Sequence, residues 1–355
     1  MPRRISAWQQ KVRSQTASYT GTTHTLAAAW HERDGAVAEY FAGKYWSICG
    51  WWDDGTQDWN PQTLTNQVWS SSDLVTWTLD LAHNNSPPTS GAGARMTPRH
   101  TPWHAQHGGY IVLGWGDTGA DRDTWRSNDP GNANGWERVA TTAQNRELPD
   151  DLMGYCLFRG SIWLFGGYRK GEFVACKDIW RMRDDYTFEW MGEMPLARAS
   201  MATVVHEDRV YLIGGSDDKG GSPTYYRDIL VFDGAGWRQV TNPGGYAWPA
   251  GNWMTGASYD DRLWVLTGNA PGDSDCTAYS DDGGATFVRS TWHGWGGSHA
   301  DAVVVTEAHG IVILNGHGHG TAVRSLKADS LAPSKLFLEG GDYLLTETAD
   351  RLLLE

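Results

Sequence analysis

The sequence predicts an all-β protein: a six-bladed β-propeller closed by an N-terminal strand, with a short C-terminal β-repeat tail. Three observations carry that prediction. Hydrophobic strands ending at glycine recur as Ile48-Cys49-Gly50, Leu113-Gly114-Trp115, Phe165-Gly166-Gly167, Ile213-Gly214-Gly215, Leu266-Thr267-Gly268 and Leu314-Asn315-Gly316. A second column follows them: Gln67-Val68-Trp69, Asp123-Thr124-Trp125, Asp178-Ile179-Trp180, Asp228-Ile229-Leu230, Thr277-Ala278-Tyr279 and, faintly, Ala322-Val323-Arg324. An aromatic then closes five of the copies, at Trp77, Trp136, Trp190, Trp237 and Phe287. A period of about 50 residues that holds four short strands has the size of one propeller blade.

The blades fall at roughly 35–81, 100–139, 155–191, 202–240, 255–290 and 302–328. Each begins with an apolar strand, a tight turn (Ala42-Gly43-Lys44, Gly108-Gly109, Asp260-Asp261) and a second strand. Blade six stops at Lys327 without an outer strand. Residues 5–13 offer one, because Ser6-Ala7-Trp8-Gln9-Gln10-Lys11-Val12 matches the pattern of Ala235-Gly236-Trp237-Arg238-Gln239-Val240. Pairing there would join the two ends of the array and remove exposed strand edges. Residues 1–330 thus read as the propeller and 331–355 as a separate tail. In the tail, apolar triplets such as Leu336-Phe337-Leu338, Tyr343-Leu344-Leu345 and Leu352-Leu353-Leu354 alternate with acidic turns. Such a sticky meander is expected to dock or oligomerise.

Composition narrows the function classes. With 29 basic and 42 acidic residues the formal net charge is −13, which argues against a phosphate-tracking nucleic-acid binder. No run is apolar and long enough to insert into a membrane as a helix, and the start Met1-Pro2-Arg3-Arg4-Ile5 lacks the apolar core of a secretory signal. The four cysteines (Cys49, Cys156, Cys176, Cys276) lie in separate blades without CxxC spacing, so buried thiols are expected. Tryptophan, at 21 residues, exceeds what repeated strand positions use.

The repeats resemble the kelch family of β-propellers. Blade four carries the resemblance best, with Pro195-Leu196-Ala197-Arg198, Arg209-Val210-Tyr211-Leu212-Ile213-Gly214-Gly215, Asp228 and Trp237; blade three repeats its second half. That resemblance implies a fold and no single chemistry, since the family holds actin binders, ubiquitin-ligase adaptors, sugar oxidases and sialic-acid mutarotases. The terminal runs Tyr343-Leu344-Leu345-Thr346-Glu347 and Arg351-Leu352-Leu353-Leu354-Glu355 loosely resemble the C-termini of structural proteins of tailed bacteriophages and gene-transfer particles.

In a kelch-like blade the innermost strand comes first, so loops between strands two and three share one face with the loops between blades. That face would collect Trp51, Trp52, Trp59, Arg99, His100, Trp115, Arg198, Trp248, Trp253, Trp292, Trp295 and His299. Indole faces stack on the C–H side of a sugar ring, and the close pairs Trp51-Trp52 and Trp292/Trp295 are expected to be exposed. Arg99 and Arg198, which hold equivalent positions before an innermost strand, could clamp a carboxylate, or could serve as internal ion pairs. His299, His317 and His319 are weak candidates for a metal, with no carboxylate to complete a familiar motif. No paired carboxylates or nucleophile–base spacing marks a catalytic centre, and no cofactor is implied.

The sequence therefore points to a non-catalytic, virion-associated recognition protein of phage-tail or fibre type. It would bind host-surface glycan through a Trp-rich face and other virion proteins through residues 335–355. It would be made in the host cytoplasm. The alternatives are a sugar-active enzyme (mutarotase-like or depolymerase), a purely architectural virion protein and, more weakly, an intracellular adaptor.

Overall fold

The structure is a computed structural model, and its described residues are 18–52, 63–117, 123–141, 148–149, 151–169, 174–217, 222–246, 248–269, 275–292, 294–295, 298–318, 320–329, 336–337 and 343–344. Among them the fold is all-β, with six antiparallel sheets arranged as a six-bladed propeller.

The innermost strands are Val37–Phe41, Trp103–His107, Gly154–Phe158, Ala202–His206, Gly256–Tyr259 and His299–Thr306. Each neighbours the next around a closed circuit, the sixth returning to the first, so together they wall a central channel. Within each blade the chain then steps outward. Blade three shows the plan: Gly154–Phe158 pairs with Ser161–Phe165, which pairs with Asp178–Met182, which pairs with Phe188–Glu193. In blades one to three the register between strands three and four shifts just before the repeated Trp, at Val68/Trp69, Thr124/Trp125 and Ile179/Trp180. A bulge there adds twist to the outer edge. Blade five gains a fifth strand, Gly244–Gly245, running parallel to Thr286–Arg289.

The ring is closed by Tyr19–Thr25, which pairs antiparallel with Val323–Ala328 as the outer strand of blade six. This corrects the expectation that residues 5–13 hold that place; those residues lie outside the described ones. The physical reason is visible in the side chains. Tyr19 is buried against Trp264 with ring centroids 4.8 Å apart and donates its hydroxyl to Asp260 Oδ2 (2.9 Å). Gly21 leaves the space that Trp292 fills, because a Cβ there would lie 1.8 Å from the indole.

The core is not one mass but six wedges, one between each pair of neighbouring blades. The wedge between blades two and three holds Trp103, Trp115, Leu164, Trp180 and Phe188; that between blades five and six holds Tyr19, Trp264, Leu266, Trp295 and Ile311. Much of the excess tryptophan is spent here. Trp103, Trp115, Trp125, Trp180, Trp248, Trp264 and Trp295 are fully buried, and removing any such ring costs roughly 3–5 kcal/mol. All four cysteines are buried free thiols.

The glycine columns have a geometric cause. The first column position takes a left-handed backbone at Cys49, Trp115, Gly166 and Gly214, each donating its N–H to a carbonyl at the entry to strand three: Gln67, Asp123, Asp178 and Asp228 respectively. In blade two the repeat pair is therefore Trp115-Gly116, one residue later than the sequence alignment places it. At the second position a Cβ on Gly116 would lie 2.4 Å from the His100 carbonyl oxygen, so only glycine fits.

Candidate functional site at the channel mouth

At the start of each innermost strand the backbone turns left-handed at one residue: Gly35, Thr101, Leu152, Ser200, Trp253 and Ala300, with φ between 52° and 56°. For a non-glycine residue this costs about 1–2 kcal/mol. What holds it is a belt of hydrogen bonds from blade to blade. Thr101 N–H donates to Gly35 O (2.8 Å), Ser200 N–H to Leu152 O (2.9 Å), Ala300 N–H to Trp253 O (3.3 Å) and Gly35 N–H to Ala300 O (3.1 Å).

The residue before each left-handed turn stands at the rim of the mouth. Around the ring these are His299, Asp34, His100, Asp151, Ala199 and Asn252, bridged to His317, Trp51, Asp117, Tyr168, Ser216 and Asn269 respectively. Four consecutive blades, six through three, thus contribute titratable groups. His100 Nε2 lies 3.0 Å from Asp34 Oδ1, and Thr101 Oγ1 donates to Asp151 Oδ1 at 3.0 Å. Five aromatic rings join in an arc: Trp51–His317 (5.9 Å between centroids), His317–His299 (4.9 Å), His299–Trp253 (6.1 Å) and Trp253–His100 (5.7 Å).

Beneath the rim lies a cavity of about 250 Å³ lined from all six blades, with Trp253, Asp301, Ser200, Thr203 and Tyr155 among its walls. The Ser200 and Thr203 hydroxyls are buried without a hydrogen-bond partner among the described residues. Asp301 accepts hydrogen bonds from Ser298 Oγ and Thr267 Oγ1. A Cβ on Gly316 would lie 1.7 Å from Asp301 Oδ1, so a larger residue there would displace the carboxylate.

The titratable groups of the mouth are pulled in opposite directions. Burial pushes the Asp301 carboxyl up to about 6, against the two hydroxyl bonds that favour its charge. Burial pushes His299 down to about 4, with His317 and His100 adding to the effect and Asp34 opposing it. At His100 burial also disfavours the imidazolium, yet Asp34, then Asp151 and Asp117, outweigh it and raise the pKa. Perturbed groups that converge on a cleft are the usual mark of a functional site.

Of the residues singled out in the sequence, Trp51, His100, Trp253, His299 and His317 come together here. Trp52 stands further out on blade one, half-buried between His31 (5.1 Å) and His83 (5.9 Å). Trp59 and His319 lie outside the described residues. The expected Trp-rich outer rim is corrected by burial: Trp115, Trp248 and Trp295 are at 0 % exposure, and Trp51 is at 8 %. The pair Trp292/Trp295 packs edge to face at 4.5 Å in the blade five–six wedge, Trp292 half-buried over Gly21.

The arginine clamp is also corrected. Arg99 is fully buried, donating to Asp123 Oδ1 (2.9 Å) and Trp115 O (3.2 Å); Arg198 likewise bonds Asp228 Oδ2 (3.1 Å) and Gly214 O (3.0 Å). Arg33 repeats the motif with Gln67 Oε1 (2.7 Å) and Cys49 O (3.3 Å). These guanidiniums tie the lead-in segment to strand three of the same blade and point away from the channel. The residue after each arginine, not the arginine, faces the mouth. Sequence reasoning missed Asp34, Asp151 and Asp301. The signal that could have found Asp34 and Asp301 is their offset, one residue after Arg33 and two after His299; Asp151 follows Asp150, so no arginine marks it.

No protein-family model matches the chain, and no curated protein matches it significantly.

Proposed function

We propose that the protein is a non-catalytic recognition module that takes one sugar unit of a surface glycan in the mouth of its channel. The observation that carries this reading is the arc of five rings above a cavity walled by Trp253 and by the Asp301 carboxyl. Trp253, half-buried and lining that cavity, offers an indole face to the C–H side of a pyranose. Asp301, on the cavity wall, offers an acceptor to its hydroxyls. The volume, below the roughly 300–1,000 Å³ of drug-sized pockets, suits a single ring rather than an oligosaccharide.

The far end of the propeller supports a tethered role. Asp329 N–H donates to Ser18 O (3.0 Å), and both residues sit at the end of blade six opposite His299. The chain therefore leaves the propeller on the face away from the mouth. That suits a module carried on a phage-like particle, anchored through its C-terminal apolar triplets with the site outward.

Saturation-transfer NMR with a panel of monosaccharides tests the reading. Trp253→Ala is expected to weaken the best ligand about tenfold or more at unchanged melting temperature. Absence of binding to any sugar, or wild-type binding by the variant, overturns it. One observation favours the sugar-active enzyme as a second reading: a carboxyl titrating near 6 inside the cavity is a candidate general acid. In that case the protein accelerates anomer exchange seen by NMR, and Asp301→Asn abolishes the acceleration.

A further inference from the structure

We infer that the channel mouth carries a divalent-cation site formed by His100, Asp117 and Asp151. One ligand atom from each lies within 4.8 Å of the others. A cation with bonds of about 2.1–2.4 Å spans roughly that distance between opposite ligands. The three come from two blades, and backbone pairing fixes them before any ion arrives. Asp117 bridges His100, with Asp117 N–H donating to His100 O at 2.8 Å. Asp151 is held by a two-way bridge to Tyr168 and by the Thr101 hydroxyl at 3.0 Å. Gly35 clears the place for the imidazole, since a Cβ there would stand 2.3 Å from His100 Cδ2.

A second feature points to positive charge at this spot. Asp34, at 5 % exposure, turns Oδ1 to within 3.0 Å of His100 Nε2, the kind of carboxylate–imidazole contact that orients many metal-ligating histidines. Three carboxylates therefore surround one imidazole on a largely buried rim. Gathering them there is costly unless a positive charge is shared among them. A cation held by the three ligands supplies that charge in place of a ring proton.

The donor set selects the ion. One imidazole nitrogen and two carboxylate oxygens suit Mn²⁺ or Zn²⁺, and lack the thiolates that a copper(I) site would use. Three protein ligands leave coordination positions open toward the mouth, where water or a ligand hydroxyl can complete the sphere. The site stands on its own geometry and does not depend on the sugar reading.

The test is Mn²⁺ titration of chelator-treated full-length protein, with free Mn²⁺ read by electron paramagnetic resonance. Mn²⁺ is chosen because it ignores the buried thiols that Zn²⁺ could reach on unfolding. One Mn²⁺ per chain is expected, displaced by one equivalent of Zn²⁺. Asp117→Asn, isosteric at a half-buried position, should weaken binding at least tenfold while leaving metal-free melting unchanged. Asp151→Asn should do the same, so the result does not hang on one variant. Asp208→Asn, on the exposed surface, should bind as wild type. No saturable binding, or equal binding by the Asp117 and Asp151 variants, overturns the assignment.

Discussion

The mouth of the channel has two unlike halves built on one backbone plan. Blades six, one, two and three place His299, Asp34, His100 and Asp151 at the rim, whereas blades four and five place Ala199 and Asn252 there. Beside the neutral half lies a small apolar cluster of Leu152, Tyr168, Ala175 and Ala199. The left-handed turn and the blade-to-blade hydrogen bond are common to both halves. The repeat fixes where a side chain stands and leaves its chemistry free. The candidate site gathers where the blades cease to be alike.

The largest effect should come from just behind the polar half. Arg99 and Asp123 form an ion pair with side chains at 0 % and 1 % exposure. Removing one partner leaves the other charge buried, so Arg99→Ala should cost roughly 3–5 kcal/mol in denaturant unfolding. If that variant kept full stability but lost ligand binding, the arginine would belong to the site after all.

A smaller loss is expected at the turn itself. Gly35→Ala meets both a left-handed φ of 55° and the His100 ring, and should cost about 2 kcal/mol while disturbing Mn²⁺ binding. Unchanged melting and unchanged Mn²⁺ affinity would contradict the packing described here.

The next prediction separates groups by the sign of their pH dependence. Asp301, raised from 3.8 to about 6, binds its proton more tightly folded than unfolded, so its contribution is present at low pH and is lost as pH rises through 6. His299, lowered from 6.5 to about 4, contributes above 6.5, and that stability is lost as pH falls toward 4. Between about 4 and 6 the two oppose one another. Asp301→Asn should therefore lose stability more steeply than wild type on acidification. His299→Gln should gain it, each by an amount on the order of 2 kcal/mol across the window. Melting curves from pH 4 to 7 measure this, and variants that both track wild type would refute the opposition.

Much of the fold was legible because its constraints repeat. The glycine column exists for close backbone approach, as at Gly116 against the His100 carbonyl, and the Trp column fills the wedges, as at Trp125 and Trp180. The strand that closes the ring was harder. The Trp8 pattern imitates an outer strand, while Tyr19–Thr25 earns its place through partners far along the chain, Trp264, Asp260 and Trp292. The site was legible only in part. Indole rings look alike in sequence whether they sit in a wedge, as Trp248 and Trp295 do, or line a cavity, as Trp253 does. Arg99 and Arg198 form a visible column, but in sequence their acidic partners Asp123 and Asp228 read as strand markers and not as the other half of a pair. Asp34, His100 and Asp151 are separated by dozens of residues and meet only because the ring closes.

The central claim, that ligand is taken at the mouth and not on the outer rim, has a direct measurement. The protein is labelled with 5-fluorotryptophan, the resonances of Trp253, Trp52 and Trp292 are assigned from single Trp→Phe variants, and the best-bound sugar is titrated in. The account predicts that the fluorine signal of Trp253 shifts saturably while those of Trp52 and Trp292 stay in place. Saturable shifts at Trp52 or Trp292 with Trp253 unmoved would contradict it.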